Sequence, residues 1–364
     1  MQDNYVACIV LHAIGDTIGF KNGEWEFKQG YMEKPLEKLY EFIDLGGINH
    51  IPKKNWLVSD DTIMQMKNIE ALLENYESMN KLGELLKKKY IEAYNQFYDE
   101  GLKTRYPGKT TLDNIQRLIN GGKWNDTPYD INFGGSGASM RNPCIGLAFF
   151  GEKNRHKLIQ ISIESSRITH NSTVGYLGGM TSALFTAYAI EGINLTKWPS
   201  LLMDLFTSGT IGNYIKKSGR GIDEFINDAH IFINKWKRYI DDKFDENGNP
   251  IKRRSTRNLV FRTKYYQDNF GYHKESHFFP GSGGDDSVII AYDCLLDAEN
   301  SWEKLVVYSM LHGGDTDTTG CIAGAWWGAL YAYMDTPNNI LDNLEYRDEL
   351  INLANELYKK YYKE

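Results

Sequence analysis

The chain has 364 residues, 41% of them hydrophobic and 24% charged, with a formal net charge of −7. A domain of about 300 residues buries roughly 75% of the surface its unfolded chain exposes, so a large core can form without disulfides or a structural metal. Acidic residues outnumber basic ones, 48 to 41, which argues against a nucleic-acid binder, because phosphate contact wants a basic surplus; a small anion held by backbone N–H groups stays open.

The predicted elements are helices. Apolar residues three and four apart recur over Tyr5–Ile18, Thr62–Tyr76, Leu82–Tyr98, Leu158–Ser166, Val174–Ile190, Ile222–Ile240, Trp302–Leu311, Gly320–Met334 and Arg347–Tyr362. Ser287–Tyr292 is short and β-branched enough to be strand or helix. With no βαβ rhythm and no composition break, the expectation is an all-α protein, a single domain over residues 1–364. Asp3 and the lack of a basic flank argue against a signal peptide, and no run of 18 apolar residues predicts a membrane span. Cys8, Cys144, Cys294 and Cys321 have no metal spacing and read as reduced core residues of a cytoplasmic protein. Nothing demands more than a monomer.

Two of these helices carry a small-residue stripe at a spacing of four: Gly175, Gly179, Ala183 and Ala187 on one, Gly320, Gly324, Gly328 and Ala332 on the other. Glycine inside a helix costs about 0.5–1 kcal/mol relative to alanine, so repeated glycine on one face predicts close approach of another helix. Irregular stretches separate the helices at Phe20–Tyr31, Gly101–Thr111, Gly121–Ala138, Asp241–Arg257 and Phe270–Ser287. Lys243–Arg254 has Gly248 where a calcium loop wants it, but Lys243 and Arg254 stand at the first and twelfth places, so calcium is excluded. The basic run Lys252, Arg253, Arg254 and Arg257 reads as a solvated loop.

Chemistry concentrates in two acidic clusters far apart in sequence. Val58-Ser-Asp-Asp-Thr62 opens one apolar helix; Gly313-Gly-Asp-Thr-Asp-Thr-Thr319 opens the second glycine-striped helix. A helix start needs one capping side chain, and both clusters exceed that need. Asp315 and Asp317 would point about 200° apart in mid-helix, so they can serve one ion only from a turn or a helix's first residues. Four carboxylates brought together repel unless a cation joins them. Oxygen-only donors favour magnesium, manganese or calcium over zinc, and two ions roughly 3.5–4 Å apart, sharing a carboxylate, would activate a water.

Asn132-Phe-Gly-Gly-Ser-Gly137, before Ala138-Ser-Met-Arg-Asn142, could let backbone N–H groups approach a phosphate, although plain loops share the pattern. Pro280-Gly-Ser-Gly-Gly-Asp-Asp286 is a third glycine-rich turn that could reach the same ligand. His170, just before a predicted central helix, reads by itself as a cap or core residue. Rival hydrolases fail on their motifs: the chain has no His-Asp, no His-Glu-x-x-His, no Gly-x-Ser-x-Gly and no P-loop.

Ser59-Asp-Asp-Thr62 with Gly314-Asp-Thr-Asp-Thr318 resembles the two metal signatures of the ADP-ribosylglycohydrolase family. Gly15-Asp-Thr-Ile-Gly19, Asn22-Gly-Glu-Trp-Glu26, Pro107-Gly108, Gly134-Gly-Ser-Gly137 with Met140-Arg141, Ser162-Ile-Glu-Ser165 with Thr169-His170, and Ile290-Ala-Tyr-Asp293 match in order. The Asn-Gly-x-Trp-Glu and Ser-Ile-Glu-Ser pieces are most similar to the ADP-ribosylarginine hydrolase branch. The resemblance implies a compact all-α bundle and two magnesium ions, replaceable by manganese, at the base of an ADP-ribose cleft. It implies Ser59, Asp60, Asp61 and Asp317 around one ion, with Asp315, Asp317 and Thr318 around the other and Asp317 bridging. The Phe133–Gly137 loop (Phe133, Gly134, Gly135, Ser136, Gly137) would hold diphosphate and ribose. The Pro107–Thr111 loop, with Gly108 and Thr110, would line the cleft, and His170 becomes a ligand-side residue. Glu26 matches the family's acidic residue near the scissile bond. Where the arginine branch offers a tyrosine to adenine, this chain has Ser276-His-Phe-Phe279, so that His277 or Phe278 could stack instead.

The implied reaction is hydrolysis of the N-glycosidic bond between ADP-ribose and arginine on a protein, with Asp60 or Asp61 taking a proton from water and Glu26 orienting or protonating the leaving guanidine. The alternatives are another linkage (serine, O-acetyl-ADP-ribose or poly(ADP-ribose)) or a non-catalytic ADP-ribose-binding module. The partner implied is an ADP-ribosylated protein or ADP-ribosyl-arginine, not nucleic acid or membrane.

Overall fold

The structure, a computed structural model, describes residues 1–26, 35–251, 258–270 and 279–362. Among the described residues the only β-pairings are two isolated bridges, Gly135 with Gly283 and Phe244 with Pro250; the protein is all-α. Ser287–Tyr292 resolves as helix, inside Gly284–Ala298.

Each periodic segment is a helix, and caps set its start. Ser78, Ser172 and Ser301 accept hydrogen bonds from the backbone N–H of Lys81, Gly175 and Lys304, satisfying donors that a helix's first turn leaves without partners. Met79–Glu100, Thr173–Ile190 and Trp302–Met310 follow directly from these caps. Further helices lie where no apolar period was read: Pro35–Asp44, Lys109–Ile119, Pro143–Ala148, Trp198–Thr207, Thr210–Ser218 and Leu259–Asn269. One of them, at Lys109, borders the site.

The centre is the pair Gln2–Phe20 and Thr316–Tyr331, whose backbones touch. A Cβ at Gly324 would lie 2.2 Å from the Leu11 carbonyl oxygen, and one at Gly328 2.4 Å from the Ala7 carbonyl. The partner helix answers with its own glycines: a Cβ at Gly15 would be 2.1 Å from the Gly320 oxygen, and at Gly19 2.1 Å from that of Thr316. The expected stripe is thus the contact face, except at its end. The helix stops at Tyr331, and Ala332 lies beyond it with φ of 53°, a turn the four-residue spacing could not reveal. On Thr173–Ile190, a Cβ at Gly179 would lie 2.2 Å from the Ser166 hydroxyl oxygen. One at Gly178, off the stripe, would lie 2.0 Å from the Gly284 carbonyl oxygen. That helix is buried on every side.

These close contacts bring three helix ends together: the C-terminal turn of Gln2–Phe20 and the N-terminal turns of Asp60–Leu73 and Thr316–Tyr331. The Thr316 hydroxyl donates to the Gly19 carbonyl at 2.9 Å. No described helix is long and apolar enough to cross a membrane.

Candidate active site

Asp16, in the last turn of Gln2–Phe20, fixes the first acidic cluster. Its fully buried carboxylate accepts from the backbone N–H of Ser59 at 3.0 and 3.1 Å, from that of Thr62 at 3.1 Å, and from the Thr62 hydroxyl. Ser59 is the helix cap, its hydroxyl accepting from the Asp61 N–H at 3.1 Å. With the cap filled by Ser59 and the turn held by Asp16, Asp60 and Asp61 are surplus to the helix. Both are buried. The Gly108 N–H donates to Asp60, and the Cys321 thiol lies 3.3 Å from an Asp61 oxygen.

The second cluster is built the same way. Asp315 caps Thr316–Tyr331, accepting from the Thr318 N–H at 3.3 Å, and an Asp317 oxygen accepts from the same N–H at 3.0 Å. Asp315 sits at the non-helical cap and Asp317 in the first turn, so the two carboxylates converge as their spacing required. Glu26 joins them: one carboxylate oxygen from each of Glu26, Asp315 and Asp317 lies within 4.8 Å of the others. Oε2 of Glu26 is buried without a hydrogen-bond partner.

Electrostatics set this group apart. Among the described residues, no lysine, arginine or histidine forms an ion pair with Asp16, Glu26, Asp60, Asp61, Asp315 or Asp317. Burial, then mutual repulsion centred on Asp317, pushes Glu26, Asp60, Asp61 and Asp315 well above the usual carboxylate range, and Asp16 up to about 7. Burial also raises Asp317. Isolated buried charges are costly, and a hard divalent cation bound by oxygen donors removes that cost. The donor set therefore fits magnesium or manganese, with Glu26, Asp315 and Asp317 already gathered and Asp60 and Asp61 on the same wall.

That wall belongs to a cavity of roughly 200 Å³ lined by Glu26, Asp60, Asp61, Asp315, Asp317 and Thr318 on one side. Gly108, Thr110, Gly135, Ser136, Gly137 and His170 line the other. The imidazole of His170 explains Gly137, where a Cβ would lie 2.5 Å from its Cε1; at Gly135 a Cβ would be in ordinary contact, 3.5 Å from its Nε2. Thr169 holds the ring through Nδ1 at 2.8 Å. Phe133 and Gly134 do not line the cavity among the described residues. The Phe133 carbonyl packs on Gly175, and the Gly134 carbonyl accepts from the Gly284 N–H at 2.8 Å. Nor is the Ser136 N–H available to a ligand, because it donates to the Ser282 carbonyl at 2.9 Å. What faces outward at the Gly135–Gly283 bridge is Gly135's own backbone, since the flanking residues make the cross-chain bonds. Ser276, His277 and Phe278 lie outside the described residues, as does the basic run from Lys252 to Arg257.

Two functional side chains were not legible as such. Asp16 was visible only within a motif, its partners more than forty residues away. Asp286, fully buried, accepts from the N–H groups of Gly281 at 2.8 Å and Gly283 at 2.7 Å. It thereby shapes the turn that pairs with Gly134–Ser136 and whose Pro280 carbonyl receives the Asp315 N–H at 2.9 Å. The Ser136 hydroxyl closes the circuit on Asp315 at 3.2 Å.

Comparison with known proteins agrees with this geometry. The family described as ADP-ribosylglycohydrolase matches residues 1–364. ADP-ribosylhydrolase ARH1 of Dictyostelium discoideum is 36% identical, over 98% of this chain and 94% of that protein. A protein of Acanthamoeba polyphaga mimivirus, provisionally named ADP-ribosyl glycohydrolase L444, is 38% identical over 95% of this chain and 68% of its own length. A solved structure titled "ADP-ribosylglycohydrolase-related protein complex" superposes with a TM-score of 0.61, covering 98% of both chains at 18% identity, a likeness of fold.

Proposed function

This chain belongs to the ADP-ribosylglycohydrolase family, and from that premise we propose that it is a magnesium-dependent hydrolase of the N-glycosidic bond between ADP-ribose and arginine on proteins. One observation carries the reading: five buried carboxylates without an ion-pair partner among the described residues, Glu26, Asp60, Asp61, Asp315 and Asp317, line a cavity that two glycine-rich loops border. A bound divalent cation would offset the cost of burying these acids together.

Asp60, Asp61, Asp315 and Asp317, with Ser59 and Thr318 beside them, would hold the ions, leaving Glu26 to act on the leaving group. Magnesium, when bound, supplies Lewis acidity toward ribose hydroxyls and lowers the pKa of water. The remaining work falls to the chain. Gly135 and Gly137, the latter kept bare by His170, let the diphosphate approach backbone. The Asp286-shaped turn keeps the Gly134–Ser136 loop in register with Asp315. Asp60 or Asp61 accepts the proton of the attacking water as oxygen bonds to the anomeric carbon. The bond from that carbon to the guanidine nitrogen breaks as Glu26, held toward its protonated form by burial, donates or directs a proton to the departing nitrogen. Residues 1–364 would act as one domain and as a monomer.

The test is release of ADP-ribose from two matched peptides, one modified on arginine and one on serine, with magnesium and with EDTA. Magnesium-dependent release from arginine alone is expected. Release from serine alone would move the protein to another linkage, and tight ADP-ribose binding without release from either would make it a binding module.

A further inference from the structure

We infer that Tyr106 is the specificity residue for the leaving group, its ring taking a planar cation, the guanidinium of the modified arginine; this rests on the linkage proposed above. Tyr106 lines the same cavity as Glu26, Asp60 and Asp61, yet its side chain is not core packing: the residue is 47% exposed. It stands on the Glu26 side. Its ring meets Phe20 edge-on at 5.6 Å, and a Cβ at Gly23, three residues before Glu26, would lie 2.9 Å from its Cε2 and Cζ. Gly23 has φ of 78°, so both sterics and backbone require glycine where the Glu26 segment passes the ring.

The backbone at Tyr106 is itself unusual. It ends the short helix Leu102–Arg105 in the left-handed region, with φ of 53°. That region is disfavoured for a bulky side chain and persists only where the surroundings over-determine it. They do so through the preceding residue. Arg105 is buried and fixed by Glu100 at 2.6 Å, by both oxygens of Glu345 at 2.7 and 2.8 Å, and by the Val58 carbonyl at 2.8 Å. Val58 immediately precedes Ser59-Asp60-Asp61, so one arginine ties the ring's position to the acidic helix start. The chain thus spends rigid structure to hold a half-exposed aromatic at the mouth of an anionic cavity. A guanidinium suits that place twice over: it stacks on aromatic faces and pairs with a carboxylate in one plane. A serine leaving group offers neither charge nor plane.

The experiment compares wild type, Tyr106→Phe and Tyr106→Leu for kcat and KM on the arginine-linked peptide, and by calorimetry for affinity toward free ADP-ribose, which ends at the anomeric hydroxyl and carries no guanidine. For Tyr106→Leu, kcat/KM is expected to fall about tenfold, mainly through KM, with Phe close to wild type and ADP-ribose affinity unchanged in both. Equal KM values for Leu and wild type, while wild type cleaves the arginine linkage, would overturn the inference and leave the linkage reading standing. Failure of wild type to cleave that linkage would overturn the linkage reading and the ring's ligand with it. Should the Leu variant not fold, methylguanidinium must inhibit wild type competitively where methylurea does not; equal behaviour of the two probes would overturn the inference.

Discussion

Two sets of carboxylates are buried to the same degree in this protein and are treated in opposite ways. Asp293 is fully buried but receives Lys243 at 2.6 Å, Arg262 at 2.5 Å, and the hydroxyls of Tyr266 at 2.5 Å and Tyr239 at 2.9 Å. Burial alone would raise it, yet Lys243 and Arg262 outweigh burial and hold it below its ordinary value. Asp317 and its neighbours have no such partners among the described residues, and burial and repulsion carry them the other way. The chain supplies the counter-charge to Asp293, whereas the buried Asp16 and Asp286 are held by N–H and hydroxyl donors. Among the described residues, the acids lining the cavity have no cation of the chain paired with them, and a bound cation would offset their repulsion.

The comparison breaks most visibly at its compensated end. Arg262→Leu leaves Asp293 buried beside a single cation and Asp297 without its 2.5 Å partner; a loss of about 3–5 kcal/mol is expected, read by chemical denaturation. At the uncompensated end, Asp317→Asn should leave the metal-free protein as stable or more so, while hydrolysis falls by at least about a hundredfold. A destabilised Asp317→Asn protein in EDTA would mean that the two sets are not opposite after all.

The same contrast sharpens with pH. Asp16 titrates in the folded protein at about 7 against an ordinary 3.8. Between those values the folded chain holds a proton the unfolded chain has lost, so metal-free stability falls as pH rises through that window. Asp293 works in the other sense, its contribution being lost as pH falls. Melting temperatures from pH 4.5 to 7.5 should therefore fall more steeply in EDTA than with magnesium; parallel curves would remove the electrostatic basis of the site. The smallest effect belongs to Asp286→Asn, which keeps one acceptor for the Gly281 and Gly283 N–H groups. KM for the ADP-ribosyl peptide should rise about threefold, with kcat and melting temperature nearly constant.

Legibility in the sequence followed the range of the interaction. Apolar periods as short as that of Trp302–Leu311 were readable, whereas Lys109–Ile119 and Leu259–Asn269 were hidden by their polar composition. The glycine stripe of Thr316–Tyr331 announced a close neighbour, but Gly15 and Gly19 could be recognised as that neighbour only once the helices met. Asp60, Asp61, Asp315 and Asp317 stood out because each cluster carried more acid than a cap can use. Asp16, Asp286 and Arg105 did not, since each acts by holding backbone supplied by a different segment. Gly134 was read as ligand-facing because glycine-rich turns look alike; the pairing of its carbonyl with the Gly284 N–H is set by a segment about 150 residues away. The opposite roles of Asp293 and Asp317 are invisible in composition, because what separates them is where Lys243 and Arg262 fall in space.

The most direct measurement is a calorimetric titration of magnesium into the metal-free protein at pH 7, in two buffers of different ionisation enthalpy, alongside Asp317→Asn. Binding that releases protons from the crowded carboxylates, and that Asp317→Asn abolishes, is the expected result. Absence of binding, or binding that Asp317→Asn leaves unchanged, would contradict the assignment of these uncompensated acids to a cation.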